Sequence, residues 1–550
     1  MNIKNTTDRY YLLFLLVVFI ILLLGLGSYG LAETSEARYA EISREMFVYG
    51  DYLNPELLGI FHFHKPPITY YITSLGYQIF GINEFGARFF LQVAVVIQLL
   101  LVYRITDVLY KDKKLAFMAG LIYFSMPIVL ISSRNLTTDA FLTTFIIAAI
   151  YCWQVYSTKR KLIFLYLFYI LVGIALLTKG PVGLLFIAVY IVVSKIMLKN
   201  GWKISKHHII GFMICVAVGA SWYVMVMIEN PKLWNYFIEK QLLSRVNSDS
   251  FNRSKPFWFY LPLLLGLLLP WWIAFIPKLK SNFKSLLNER SETKILLYSS
   301  VILIVIFSIF STKLIMYILP IFWMPSIVIA VEIKKAQQKT RDLVNIVYGI
   351  LLGLIFLGIY LCWFLEIPQV DISYMILFIA SGVGMVFFAV YQLIEPKNIF
   401  KPAILAGTFG AAIILISTAF MSQNSALTNS TRDMVHFIDS ISKDENKTIL
   451  VYNYLLTSIP FYSDAVEITI NSGHDTVQRE IQFENDESWK EHLWNIERDS
   501  TMSRLSSLSR KRNTYLLIRN KSLKDPQITS IENNYNSHKS YPKWTLYYNK

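Results

Sequence analysis

Long apolar runs recur as far as residue 421, and they restrict what this chain can fold into more than any other feature. Tyr11–Leu31, Val301–Phe310 and Ala403–Phe420 hold no charged side chain. Hydrocarbon offers no partner to a bare backbone N–H or C=O, so such runs cross a bilayer as helices of about 20 residues. Composition agrees: 55% of the 550 residues are hydrophobic and 16% charged, against roughly 45–50% and about 25% in a soluble domain. The first run is long for a signal peptide and Gly27–Glu33 is a weak cleavage site, so a retained anchor is expected.

Read between basic loops, the sequence predicts about thirteen spans: 11–31, 86–106, 115–133, 138–157, 162–178, 182–198, 208–228, 258–277, 294–311, 314–333, 342–365, 371–394 and 401–421. The net charge of +15 sits in alternate short loops. These hold Lys4 and Arg9; Lys111, Lys113 and Lys114; Lys159, Arg160 and Lys161; Lys199, Lys203 and Lys206; Lys278, Lys280 and Lys284; Lys334, Lys335, Lys339 and Arg341; Lys397 and Lys401. That pattern orients a membrane protein and argues against nucleic acid as a partner. It places the N-terminus in the cytoplasm and residues 32–85, 134–139, 229–257, 311–313 and 422–550 on the outer side. The Lys179-Gly-Pro-Val-Gly183 segment reads either as a tight external hairpin or as a kink. Cys152, Cys215 and Cys362 lie far apart in apolar stretches, so neither a disulfide framework nor a CxxC metal site is expected.

Two regions follow: a membrane domain over 1–421 and a tail over 422–550. In the tail, Thr448–Tyr454 and Thr514–Arg519 read as buried strands, whereas 487–498 and 502–510 read as polar helices or turns. About 130 residues suffice for one small extracytoplasmic α/β domain. It carries no phosphate loop, nucleophile elbow or zinc spacing, and a structural or gating cap is expected.

The first external loop, 32–85, is the most informative segment. Arg38–Met46 has helical spacing, with Tyr39, Ile42 and Met46 on one stripe and Glu41, Arg44 and Glu45 on another. An amphipathic helix along the membrane surface is expected, ended by Asp51–Pro55. Glu33 and Glu36 stand where the first span emerges, and acids next to hydrocarbon require a partner or a purpose. Lys65, locked by two prolines, suits a phosphate-bearing lipid.

The block Glu36-Ala-Arg-Tyr-Ala-Glu-Ile-Ser-Arg-Glu-Met46, with Gly50-Asp, Pro55, Lys65-Pro-Pro, Tyr70-Tyr and Phe80–Arg88, resembles the aminoarabinose lipid A transferases. More distantly it is similar to the protein O-mannosyltransferases; both belong to the GT-C glycosyltransferases that use polyprenyl-phosphate sugars. Arg134–Asp139, Leu177–Gly183, Pro256–Tyr260 and Lys313–Pro320 extend the resemblance to about residue 420. Ser35 and Glu36 stand where that group has Asp-Glu, His64 where it often has Glu, and Asn252 and Arg253 near where it often has His.

The resemblance implies an integral protein of the bacterial inner membrane, with its C-terminal domain in the periplasm. It implies transfer of a sugar from an undecaprenyl-phosphate donor to lipid A, another glycan or a protein, with inversion. Charge develops on the departing phosphate, so fixed cations and donors should surround it. Lys65, Arg38, Tyr39, Lys313 and Tyr317 are the candidates. Glu33 or Glu36 would serve as general base, with Asp139 orienting it or binding the acceptor. His64 would donate to phosphate or sugar; His62-x-His64 holding a divalent ion is the alternative, although no cofactor is required. Lys179 reads as a phosphate contact or as a lysine reaching for the interface. The Trp271-Trp272 pair reads as an interface anchor. A rival function is a lipid or glycan flippase, which predicts mid-helix charges and paired halves with broken helices. An oligosaccharide ligase or polymerase is a closer rival in chemistry but requires a different loop pattern.

Overall fold

The computed structural model describes residues 5–199, 201, 204–238, 255–276, 289–368, 370–442, 446–472, 481–522 and 525–550. Lys4, Lys203, Asn252, Arg253, Lys278, Lys280 and Lys284 lie outside them. The chain divides into two compact units. One comprises Met1–Gly25, Phe89–Glu366 and Ile372–Ala419; the other comprises Leu26–Arg88, Ile367–Asp371 and Phe420–Lys550.

The first unit is a helical bundle, and the protein is a multi-pass membrane protein. Among the described residues nine helices are long and apolar enough to cross a bilayer, or ten if one bent pair counts as a span. They include α1 (Thr6–Leu23), α4 (Glu84–Tyr110), α7 (Thr138–Lys159), α8 (Leu162–Lys179) and α10 (Lys206–Glu229). Each of the thirteen expected spans contains helix, and proline explains where the helix breaks. Expected span 115–133 is α5 (Lys113–Ser125) and α6 (Pro127–Ser132), parted at Met126, whose ψ of 127° is what a following proline imposes. Span 314–333 bends by 58° between Ile315–Ile321 and Trp323–Lys335, beside Pro320. Span 258–277 is divided before Trp271 at Pro270, and α9 (Val182–Met197) has only 16 residues. Lys179 ends α8, and Gly180 at φ +78° turns the chain into α9, so the segment is a turn between helices.

Buried polar side chains in the bundle answer one another. Tyr11 donates to Leu99 O at 2.7 Å, and Tyr123 to Gln98 Oε1 at 2.7 Å, whose amide donates to Ala140 O at 2.8 Å. Asp8 takes bonds from Tyr103 at 2.6 Å and Lys113 at 2.7 Å. Trp271 is fully buried and donates to Ser125 Oγ at 3.3 Å, so it belongs to the core; Trp272 is the half-exposed member of the pair. Leu354, Phe378 and Met385 point outward, as lipid-facing side chains do. The three cysteines are free.

The second unit joins the first loop to the tail. It opens with α2 (Ser35–Tyr49), which Gly50 ends in the left-handed region at φ +75°. A hairpin follows, β1 (Glu56–Leu57) with β2 (Ile60–Phe61), and then α3 (Ile68–Phe80). The sheet of the tail runs β5-β4-β3-β6-β8-β7. Here β3 is Thr448–Tyr452, β4 Val466–Asn471, β5 Leu493–Asn495, β6 Thr514–Arg519, β7 Ser537–Ser540 and β8 Trp544–Tyr548. The first four in that order are parallel, and β8 and β7 continue antiparallel. Both faces are covered: Ile449, Val451, Tyr515 and Leu517 pack on one side, Leu450, Tyr452, Leu516 and Ile518 on the other. A parallel sheet buried on two faces reads as continuous apolar runs, which is why β3 and β6 were legible. The stretch 487–498 holds a short 3-10 helix, Ser488–Glu491, and turns as expected, but also β5, whose three residues carry too little pattern to announce a strand.

Candidate functional site

In the unit that carries α2, acids near the end of α1 are each taken up by donors. Arg88 donates from Nε to Glu36 Oε1 at 2.8 Å and from Nη2 to Oε2 at 2.8 Å, and Ala32 N reaches Oε2 at 2.9 Å. Arg88 also donates to the carbonyls of Leu26, Tyr29 and Gly30, and its guanidinium lies 3.8 Å from the Tyr29 ring centroid. Glu36 and Arg88 are 2% and 0% exposed, so this bidentate pair holds the turn 26–36 in place. Glu33 accepts from Ser458 N at 2.7 Å, Ser458 Oγ at 2.5 Å and Thr457 Oγ1 at 3.1 Å. Burial raises the pKa of Glu33, against the pull of those donors and of Arg38. Both candidate bases are thus engaged by several donors.

Arg38 is half-buried, with Nε unbonded among the described residues. The Tyr39 ring leans on Tyr70 with centroids 5.7 Å apart. Lys65 lies half-buried in the turn before α3, after His62 and His64, whose rings meet edge to face at 4.5 Å. His64 also meets Phe483 at 5.5 Å. Among the described residues no group of three or more His, Cys, Asp or Glu is assembled to take a metal.

The bundle contains the other candidates. Asp139 lies in the first turn of α7, and Lys179 Nζ, at the end of α8, donates to Asp139 Oδ1 at 2.5 Å. The same ammonium stands 4.4 Å from the Tyr317 ring centroid, so three element ends bring a carboxylate, a cation and a phenol together. Asp139 gains from the positive end of α7, and Lys179 from the negative end of α8. Lys313 is employed differently: its ammonium donates to Lys255 O at 2.8 Å and Phe310 O at 2.5 Å, capping the helix Ser291–Ile309. Two of the three N–H donors of Lys313, a candidate phosphate ligand by sequence, thus go to backbone carbonyls.

Sequence reasoning assigned no role to Arg88 or Arg134, although both stood in the quoted motifs. Arg134 donates to Leu22 O at 2.6 Å and Thr418 Oγ1 at 3.1 Å. A lone arginine at a span's edge is itself the signal, because its charge must be matched. In the stripe Glu41-Arg44-Glu45 of the expected amphipathic helix, Glu41 and Glu45 are buried, 0% and 4% exposed.

Residues 64–224 match the family model described as dolichyl-phosphate-mannose-protein mannosyltransferase. The undecaprenyl phosphate-alpha-4-amino-4-deoxy-L-arabinose arabinosyl transferase of Aeromonas hydrophila is 31% identical over 340 residues, 60% of this chain and 62% of that one. The corresponding transferase 2 of Proteus mirabilis is 29% identical over 312 residues, 56% of each; the match spans just over half the length of that relative. Transferase 1 of Pseudomonas fluorescens is 24% identical across 88% of this chain and 91% of its own. The fold is that of ArnT from Cupriavidus metallidurans, solved bound to undecaprenyl phosphate, with a TM-score of 0.78 and 19% identity over 99% of this chain and 98% of the other.

Proposed function

We propose that this chain is a member of the aminoarabinose-transferase group of GT-C membrane proteins and transfers a sugar from an undecaprenyl-phosphate carrier to an envelope acceptor. The relatives' named activity supports the donor class, and the Asp139–Lys179–Tyr317 cluster is the observation that carries the chemistry. In the step, an acceptor oxygen attacks the anomeric carbon. The bond from that carbon to the phosphate oxygen breaks, the electron pair leaves with the phosphate, and the anomeric centre inverts. A lysine beside the departing oxygens lowers the barrier by fixed charge. In the helical bundle Lys179 suits that role, as a cation already oriented by a carboxylate and a ring; Lys65, a point charge on a rigid turn of the other unit, is a separate candidate phosphate ligand. In this reading Asp139 takes the acceptor's proton or orients the base, and Glu33 or Glu36 is the alternative base.

Arg38 and Tyr39 remain candidates for the sugar-phosphate, and His64 for a donor to it. The placement of basic loops supports the bacterial inner membrane, a cytoplasmic N-terminus and a periplasmic tail. Lipid A, another glycan or a protein would be the acceptor. The test is sugar transfer by the purified full chain in vesicles supplied with an undecaprenyl-phosphate sugar. Asp139→Asn and Lys179→Met should each reduce turnover on the order of 100-fold. Undiminished transfer in both would overturn the site, and lipid translocation without transfer by the unaltered protein would overturn the activity.

A further inference from the structure

The hairpin that leads into Lys65 turns through two residues, Leu58 and Gly59, between the paired Leu57 and Ile60. Both have positive φ, 58° and 65°. That is the primed turn that suits a hairpin's twist, but leucine is a costly residue in it, by roughly 1–2 kcal/mol. Two features hold it there. The Leu58 side chain is buried with Ile42, Met46, Leu57 and Tyr70. The Glu45 carboxyl accepts from Leu58 N at 2.7 Å, with Gly59 N at 3.5 Å. Beyond the turn, Phe61 N donates to Glu484 at 2.7 Å and His62 N to Pro55 O at 2.6 Å, three residues before Lys65.

Glu41 lies one helical turn before Glu45, and Arg44 grips it through Nε at 2.8 Å and Nη2 at 2.6 Å. Among the described residues a single bonded cation therefore serves two buried carboxyls one helical turn apart. Like charges in such a place do not both ionise readily.

We propose that Glu41 and Glu45 share one proton and so latch the Leu58-Gly59 turn, making Glu45 a positioning residue for Lys65 and hence for the lipid phosphate. This rests on the reading of Lys65 as a phosphate ligand. Burial, then the charge of Glu41, pushes Glu45 up to about 8, against the pull of the Leu58 and Gly59 amides and Arg44. A carboxyl raised in the fold keeps its contribution below the ordinary carboxylate range and loses it as pH climbs to the raised value. The latch is therefore closed at neutral pH and weakens as pH passes about 8.

Other groups face the pair. Tyr77 of α3 responds to both Glu41 and Arg44 and stays neutral. Glu467 of β4 responds to Glu41, and burial raises its pKa as well. The His492 ring lies beside Gly59, and Glu56 of β1 lies near Asp51 and Glu484. Tyr49 adds to the field at Arg44. An ordinary histidine titrates near 6.5 and lysine near 10.4, outside the window the latch occupies.

The test uses the full chain in nanodiscs, with undecaprenyl phosphate as the probe, between about pH 7 and about pH 9. Amide exchange over 56–61, corrected for intrinsic rate, should accelerate above about pH 8, and affinity for the probe should fall roughly threefold to tenfold. Glu45→Gln can donate to Glu41 and accept from Leu58 whatever the pH, so its exchange and affinity should stay flat. Glu45→Ala should exchange fast and bind weakly throughout. Glu467→Gln should keep the pH dependence of the unaltered protein. The proposal is overturned if Glu45→Gln shows the same pH dependence as the unaltered protein, or if the unaltered protein shows none, or if Glu467→Gln abolishes it. An absence of sugar transfer would refute the enzymatic reading alone, because exchange and probe binding decide the latch without it.

Discussion

In the helical bundle Asp139 meets one lysine, and Asp8 meets one lysine and one tyrosine. In the unit built from the first loop and the tail, buried acids lie near other acids: Glu467 feels the charges of Glu33 and Glu41, and Glu45 that of Glu41. The difference follows from the surroundings. A charge near hydrocarbon has no water to retreat to, so it is held by fixed partners: lysines for Asp8 and Asp139, carbonyls for Lys313, a carbonyl and a hydroxyl for Arg134. A unit with a solvated surface can keep spare acids by protonating them or by surrounding them with backbone and hydroxyl donors, as Glu33 is by Thr457 and Ser458. The bundle thus holds fixed charges suited to electrostatic work, while the other unit holds protons that can be exchanged.

The comparison breaks most visibly at Lys179. Lys179→Met should reduce transfer on the order of 100-fold and also lower the unfolding midpoint in detergent, since it leaves the buried Asp139 without its cation. Lys313→Met should lower stability by about 1.5 kcal/mol with a much smaller loss of turnover. Equal losses of turnover in the two would mean that the cap is also a ligand.

Arg88→Ala tests whether the first-loop unit tolerates an acid left alone. Glu36 would be buried without its cation, and the expected cost is about 3–5 kcal/mol, read as a lowered unfolding midpoint. Leu517→Ala in β6 serves as a charge-free control, with a cost of about 2–4 kcal/mol from the cavity. The smallest effect is expected for Glu33→Gln. Its amide oxygen can still accept from Ser458, so about 1 kcal/mol should be lost. A loss of turnover well beyond that loss of stability would restore Glu33 as the base.

Much of the architecture was legible because the sequence carries it redundantly. Thirteen apolar segments were readable from run length and basic loops, and β3 and β6 from unbroken apolar stretches. The four remaining strands of the sheet were not. Three-residue β5 is too short, and β7 carries the polar run Ser537–Ser540 at an edge. The site was legible by residue type and not by partner. Asp139 and Lys179 were both singled out, but 40 residues of separation gave no hint that they bond. Lys313 looked like a ligand because a lysine at a helix end is equally suited to a phosphate and to carbonyls, and only the positions of Phe310 and Lys255 decide between them.

The sequence alone determined the solvent of each segment: which stretches must lie in hydrocarbon, where the chain must turn, and that the tail is a covered sheet. These follow from local composition and period, which act over a few residues. Tertiary structure alone decided which charge meets which. It paired Glu36 with Arg88, bonded Glu33 to Ser458, and buried Glu41 and Glu45 of the amphipathic stripe. Electrostatic partnership depends on distances of a few ångströms between residues far apart in the chain, and no local pattern encodes those.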